Sequence, residues 1–202
     1  MCVFRLRLLM KPIIVFALCS SLLLQACMPI AIGGAVTTAQ VIHDRRSTGT
    51  VIDDKTLELN IASKIRSYPR FAENSHVNVN VYDGLVLLTG EVINQQIKRE
   101  IGAMVAQQKG LGVQHLANYL LIGPRSTLSN RSYDVKLATK AKAVLMDVNI
   151  AGFDPTRVKV VAEHASIFLM GIVTEQESRA VVDVVRRVEG AGQVITLFTI
   201  SN

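Results

Sequence analysis

The chain has 202 residues, half of them hydrophobic, with no Trp and a formal net charge of +6. This length suits one medium domain or two small ones, each with a modest core. Three of the positive charges precede residue 12, and without them the surplus is only +3. That surplus argues against the dense basic surface that nucleic-acid binding requires.

Residues 1–26 are predicted to be a signal peptide. Three basic residues form its start, and an apolar run spans residues 13–24. The run closes on Leu24-Gln25-Ala26-Cys27, which resembles the lipobox recognised by the lipoprotein signal peptidase. This resemblance implies that Cys27 becomes the first mature residue and carries a diacylglyceryl group and an amide-linked palmitate.

The alternative to cleavage is an uncleaved transmembrane anchor. Residues 12–42 contain no Asp, Glu, Lys or Arg and are long enough to span a bilayer. Gly33-Gly34 interrupts the apolar character, which favours the lipoprotein. Translation is expected to begin at Met10, because the signal is more compact from there. Cys2 and Cys19 would leave with the signal peptide, so no intramolecular disulfide is expected.

The residue after the cysteine bears on the destination of the protein. It is Met28, whereas lipoproteins retained in the inner membrane typically carry Asp at this position. By resemblance to that sorting rule, the protein is expected on the periplasmic face of the outer membrane. Residues 27–52 are predicted to be the acylated N-terminus and a flexible tether.

The remaining residues contain the same order of signals twice. In the first copy, Asp54 is predicted to cap a helix with an apolar face at Leu57, Ile61 and Ile65. Alternating valines at 77–81 predict a strand, and Asp83-Gly84 predicts a hairpin turn. A second strand, a helix capped by Asn94 and a last strand at 114–122 complete this copy.

The landmarks recur after 80 or 81 residues, at Asp134, Leu137 and Gly171. A turn is predicted at Ala165-Ser166, followed by a helix with a capping box. The pattern therefore predicts an α+β fold with two tandem α-β-β-α-β domains, each a three-stranded mixed sheet covered by two helices. The predicted segments are a first domain at 53–122, a linker at 123–130 and a second domain at 131–202.

Two glycine motifs extend the internal similarity. Gly90-Glu91-Val92 and Gly171-Ile172-Val173 each close a predicted hairpin before a helix, and both glycines are expected to serve backbone geometry or close packing. With this element order they resemble the BON domain, a small bacterial envelope module. Segments 51–58 and 167–175, together with the lipobox and tether, resemble the dual-BON outer-membrane lipoproteins over nearly the whole chain.

The resemblance implies a function at the membrane. It implies an outer-membrane lipoprotein that supports outer-membrane integrity and binds anionic phospholipid, such as phosphatidylglycerol or cardiolipin, through its second repeat. Contact with the outer-membrane β-barrel assembly machinery is implied as well. A protein-interaction adaptor for such an envelope complex is the alternative function.

In this family the lipid-facing surface centres on the first helix of the second repeat. The residues expected to contact lipid here are Lys136, Leu137, Lys140, Ala141, Val144 and Met146. The family pattern can place a large aromatic residue where this chain has Lys136, which favours a contact led by charge. A solvated helix face is the alternative interpretation of these lysines.

No catalytic or metal-binding motif is visible in the sequence. The four histidines have no Cys or acidic partner at metal-ligand spacing, so neither a metal nor another cofactor is predicted. His164, beside the predicted turn, is expected to be exposed. Glu175 and Glu177 are expected in the first turn of a helix, where its dipole favours acids. A cell-wall hydrolase therefore has almost no support, and a non-enzymatic protein is predicted.

Overall fold

A computed structural model describes residues 44–73 and 75–201, all within one compact unit. The predicted signal peptide, the lipidation site Cys27 and most of the predicted tether lie outside these residues. Within the described part, no helix combines the length and the apolar character needed to cross a membrane.

Among the described residues, the first repeat contains three α-helices and four strands. In chain order they are α1 (Thr48–Ser67), α2 (Pro69–Ala72), β1 (Ser75–Tyr82), β2 (Leu85–Val92), α3 (Gln95–Ala106), β3 (His115–Asn118) and β4 (Leu121–Ile122). Strands β1 and β2 form the antiparallel hairpin predicted at Asp83-Gly84, and β3 and β4 both run parallel to β2. The predicted last strand is therefore present in two short pieces.

The second repeat has the same order with one uninterrupted last strand. Its elements are α4 (Leu128–Val144), β5 (Val158–Glu163), β6 (Ser166–Val173), α5 (Glu175–Val185) and β7 (Gln193–Ile200). Strand β6 lies between β5, which is antiparallel to it, and β7, which is parallel to it. The predicted α+β class with two tandem repeats and mixed sheets is confirmed.

The first helix of each repeat begins earlier than predicted. Helix α1 starts at Thr48, inside the predicted tether, and its N-cap is Ser47 rather than Asp54. Helix α4 likewise starts after the N-cap Thr127, so Asp134 lies within the helix. Both aspartates are buried. An acid just before an apolar stripe has the local pattern of an N-cap, which is why the sequence suggested one.

The buried aspartates instead hold the hairpin turns. Asp54 accepts hydrogen bonds from the backbone N–H groups of Asp83 and Gly84 at 2.6 and 2.9 Å. Asp134 accepts from His164 and Ala165, each at 3.1 Å. Those two residues have φ of 50° and 58°, as a two-residue turn of type I′ requires. The turn predicted at Ala165-Ser166 is therefore one residue earlier, at His164-Ala165.

Close backbone approach explains the two glycines at corresponding places in the repeats. Gly90 lies within β2 at φ +104°, and a Cβ there would collide with the carbonyl oxygen of His76. At Gly171, a Cβ would lie 2.7 Å from the carbonyl oxygen of Arg157 on the neighbouring strand end. Any larger residue would have to push the adjacent backbone away.

Both repeats have a core of their own, and they share a third. In each repeat the helices cover one face of the sheet. The opposite faces meet around Tyr82 and Leu87 of the first repeat and Phe168 and Met170 of the second, all of them buried. The order of layers is therefore helix, sheet, sheet, helix, and the repeats are docked rather than independent.

Candidate functional site

Helix α4, the predicted lipid-binding element, has an inner face that belongs to the core. Leu137 and Ala141 are 2% and 0% exposed and pack in the core of the second repeat, and Val144 lies partly buried against it. Leu137 and Ala141 therefore cannot contact lipid in this fold, which corrects the predicted set. The apolar periodicity that identified the helix marks its packed side.

The outer face of this helix carries large apolar side chains in the open. Leu128, Val135 and Met146 are 79%, 66% and 75% exposed. Val135 follows Leu128 by seven residues, and Met146 follows Val135 by eleven. These spacings are close to two and three helical turns, so the three side chains lie on one side of the helix. Met146 lies in the 3₁₀ turn Leu145–Asp147 that continues the helix.

Lysines flank these apolar residues. Lys136, Lys140 and Lys142 are all exposed. Lys140 Nζ approaches Glu189 Oε2 at 3.5 Å, but both side chains are more than half exposed, so this ion pair is weak. We call the surface formed by Leu128, Val135, Lys136, Lys140, Lys142 and Met146 the basic ridge.

The first repeat does not repeat the basic ridge. With the offset of 80 that aligns Leu57 with Leu137, the three lysines correspond to Thr56, Asn60 and Ala62 of α1. None of these is basic, and the same helix carries Glu58. Helix α1 also has exposed apolar residues, Ile52 and Leu59, but its three basic residues are balanced by three acids, whereas α4 has four basic residues and one acid. What distinguishes the second repeat is the net positive charge of this helix.

The residues just before α1 bind both repeats. Arg45 reaches the second repeat, where its guanidinium lies 2.6 Å from Glu177 Oε2. Arg46 forms an ion pair with Asp54 of the first repeat at 2.7 Å, and its guanidinium lies 3.6 Å from the centre of the Tyr82 ring. Residues 44–52, predicted as the end of the tether, are thus part of the folded body.

A cluster of polar side chains lies between the repeats. Glu91 of β2 is 1% exposed; its Oε2 lies 3.1 Å from His76 Nδ1 and its Oε1 lies 2.6 Å from His164 Nε2. Glu163 of β5, also buried, accepts hydrogen bonds across the interface from Asn78 and Thr89 at 2.6 and 3.2 Å. We call His76, Glu91, Glu163 and His164 the interdomain cluster.

Glu91 is held ionised in this cluster. Burial by itself would raise the pKa of its carboxyl, but hydrogen bonds from Ser126 and the nearby charges of His164 and His76 bring that pKa below the usual value. His164 is exposed at the hairpin turn, as predicted, yet its ring turns toward Glu91. Sequence reasoning treated all the histidines as isolated and missed this cluster, because its members lie on three strands and a turn of two repeats.

Comparison with known proteins identifies the repeats. A family model described as the BON domain matches residues 53–124 and 133–202. The outer membrane lipoprotein DolP of Haemophilus influenzae is 33% identical over 89% of this chain and 91% of its own length. A protein named 21 kDa hemolysin, from Actinobacillus pleuropneumoniae, is 29% identical over 75% of this chain and 76% of its own.

Among solved structures, similarity is found to the C-terminal domain of CdsD, a structural protein of the type III secretion system of Chlamydia trachomatis. The two chains share 15% sequence identity, with a TM-score of 0.28, over 74% of this chain and 67% of that one.

Proposed function

We propose a membrane-surface function from the premise that this chain belongs to the BON-domain family, as a dual-BON lipoprotein similar to DolP. In this proposal, acylated Cys27 anchors the chain to the periplasmic face of the outer membrane. There it binds anionic phospholipid through the basic ridge and supports outer-membrane integrity without catalysing a reaction. The exposed apolar residues of the ridge, flanked by lysines, are the observation that carries this proposal.

The chemistry of the basic ridge matches that of an anionic bilayer surface. Each lysine near such a surface contributes about 1 kcal/mol, and salt screens that contribution. Leu128, Val135 and Met146 add hydrophobic transfer energy if they enter the headgroup region, at about 25 cal/mol per Å² of apolar area. At about 100° per residue, Lys142 and Lys136 lie on either side of this apolar row, and Lys140 lies farther round the helix. One orientation of the domain can therefore bring the apolar row, Lys136 and Lys142 to the surface together, with Lys140 at the edge of the contact.

Acylation makes such a contact effective. Three lysines at about 1 kcal/mol each give an affinity no better than millimolar, which would hold a free domain poorly. A chain tethered at Cys27 meets lipid at a high effective concentration, so weak contacts suffice to orient it. Lys136, Lys140 and Met146 remain in the proposed lipid-binding set, which gains Leu128, Val135 and Lys142.

The test is flotation of a soluble form, residues 28–202, with vesicles of phosphatidylglycerol or cardiolipin at low salt and about 10 mM lipid, a concentration at which millimolar affinity gives measurable binding. We expect binding that weakens with added salt and that is lost when Lys136 and Lys140 are both replaced by Glu. The matched control replaces Lys64 and Lys109, two exposed lysines of the first repeat, by Glu and gives the same change in net charge. Equal binding by the two double variants, or none by the unaltered protein, would contradict the proposal.

A second candidate function rests on a different observation. Strand β7 is eight residues long and lies at the edge of its sheet, where within residues 44–73 and 75–201 it pairs only with β6. Such an edge can accept an extended segment of another protein as an added strand. An adaptor for the outer-membrane β-barrel assembly machinery would use it in this way. Crosslinking in cells from Thr196, an exposed residue of β7, compared with Val135, would then give a dominant protein adduct from the strand.

A further inference from the structure

We propose that His76, Glu91 and Glu163 form a binding site for a divalent transition-metal ion between the two repeats, with His164 positioning the Glu91 carboxylate. No such site was predicted from the sequence. One potential ligand atom from each of the three residues lies within 4.8 Å of the others. The site would join β1 and β2 of the first repeat to β5 of the second.

The spacing of these atoms is close to what a tetrahedral ion needs. With metal–ligand bonds of about 2.0–2.1 Å, neighbouring ligands lie about 3.3 Å apart. His76 Nδ1 and Glu91 Oε2 are 3.1 Å apart, near that value. The Glu163 ligand atom lies within 4.8 Å of the other two, so a side-chain rotation that brings it closer by up to about 1.5 Å would complete three protein ligands, with water in the fourth position. Asn78 and Thr89, which donate to Glu163 Oε2, would have to adjust to this rotation.

Burial provides a second, independent indication. Glu91 Oε1 is a buried oxygen that has no hydrogen-bond partner among the described residues. The His164 ring nitrogen 2.6 Å away is close to it but lacks the alignment of a hydrogen bond. Placing two buried carboxylates of like charge together costs free energy unless positive charge compensates for them, and the imidazoles of His76 and His164 do so only when they are protonated. A divalent ion would neutralise both carboxylates while the imidazoles stay uncharged.

The other charged groups around the site add no net positive charge that could compensate for the two carboxylates. A cleft of about 280 Å³ is lined by His76 and Glu163 and also by Arg131 and Asp134, which offset each other in formal charge. Asp134 is committed to the hairpin turn and Arg131 donates to Ser126 Oγ at 3.1 Å. The cleft gives an ion a route to the cluster.

The donor set selects the class of ion. One imidazole nitrogen with carboxylate oxygens suits zinc and its neighbours in the first transition series, whereas magnesium and calcium prefer oxygen ligands throughout. His164 then acts as an outer partner that orients Glu91, as the groups behind metal ligands commonly do. Because the ligands come from both repeats, binding would tighten their association and raise the melting temperature.

The experiment uses the full-length acylated protein purified in detergent and stripped with a chelator. Zinc is titrated by calorimetry, zinc retained after gel filtration is counted by mass spectrometry, and melting is followed by circular dichroism with Zn²⁺ or Mg²⁺. The variants are His76→Ala and Glu91→Gln. The matched control is His115→Ala, which removes an exposed histidine from β3.

We expect one zinc ion per chain, a higher melting temperature with Zn²⁺ than with Mg²⁺, and at least tenfold weaker binding in both variants. His115→Ala should bind like the unaltered protein. Glu163→Gln provides a further test if Glu91→Gln fails to fold. Folded protein that retains no zinc, or that loses no affinity when His76 is replaced, would overturn the proposal.

Discussion

The buried aspartate of α4 gives a sharp test of how the second repeat is built. Asp134→Ala removes two charge-assisted hydrogen bonds, each 3.1 Å long, to the N–H groups of His164 and Ala165. A hydrogen bond to a charged group contributes about 1.5–3 kcal/mol, and water can replace part of this at an exposed turn. We therefore expect a loss of about 2–4 kcal/mol, or about 5–15 °C in melting temperature for a chain of this size.

Thermal and urea unfolding measured by circular dichroism would provide the assay. Asp147→Ala is the matched control, since Asp147 is an exposed acid just after the same helix, and it should change stability by less than about 0.5 kcal/mol. Ala165→Gly should raise stability by about 1 kcal/mol, because Ala165 has φ of +58° and glycine adopts this conformation without strain. A loss below about 0.5 kcal/mol for Asp134→Ala would refute the role of this carboxylate.

Three further predictions concern the interface, acid stability and close packing. Phe168→Ala should cost about 3–5 kcal/mol in urea unfolding, because that buried ring lies in the core shared by the two repeats. Burial opposes ionisation of Glu177, but the hydrogen bond from Arg45 holds the pKa of Glu177 below 4.5. The stability that ionised Glu177 contributes is therefore present above pH 4.5 and is lost as the pH falls through the lowered pKa. Glu177→Gln should make the melting temperature fall less steeply in acid. Gly171→Ala should lower the melting temperature, since the new Cβ would lie 2.7 Å from a backbone carbonyl oxygen.

The sequence predicted the repeat and its order of elements because those features depend on local periodicity. It also predicted the Asp83-Gly84 turn, since that dipeptide adopts left-handed backbone conformations readily. The N-caps were wrong because the partners of Asp54 and Asp134 lie about thirty residues away in a hairpin. No local pattern distinguishes a capping acid from one that reaches across the fold.

The sequence also contains a pattern that predicts docking of the repeats, although the search for periodicity did not use it. Residues 85–88 and 167–170 are continuous apolar runs, and such a run is typical of a strand buried on both faces. Since one face of each sheet packs on helices, the other face must pack on a second apolar surface. In this fold that surface is the sheet of the other repeat.

Part of the interdomain cluster could also have been found. A two-residue turn at 83–84 fixes the register of its hairpin and places His76 opposite Glu91. Glu163 and His164 could not be added in this way, because their approach depends on how the two repeats dock. The basic ridge was only partly predicted, since Leu137 and Ala141 were assigned to the lipid-binding set although their helical spacing marks the packed side of α4.

The most direct test of the membrane-surface account places a spin label on the basic ridge. Val135→Cys in the full-length acylated protein would be labelled and reconstituted in phosphatidylglycerol vesicles, with Lys64→Cys as the control on α1. The account predicts that a lipid-soluble relaxation agent reaches the label at 135 more readily than a water-soluble one, with the opposite result at 64. Equal access of the water-soluble agent to both labels would contradict it.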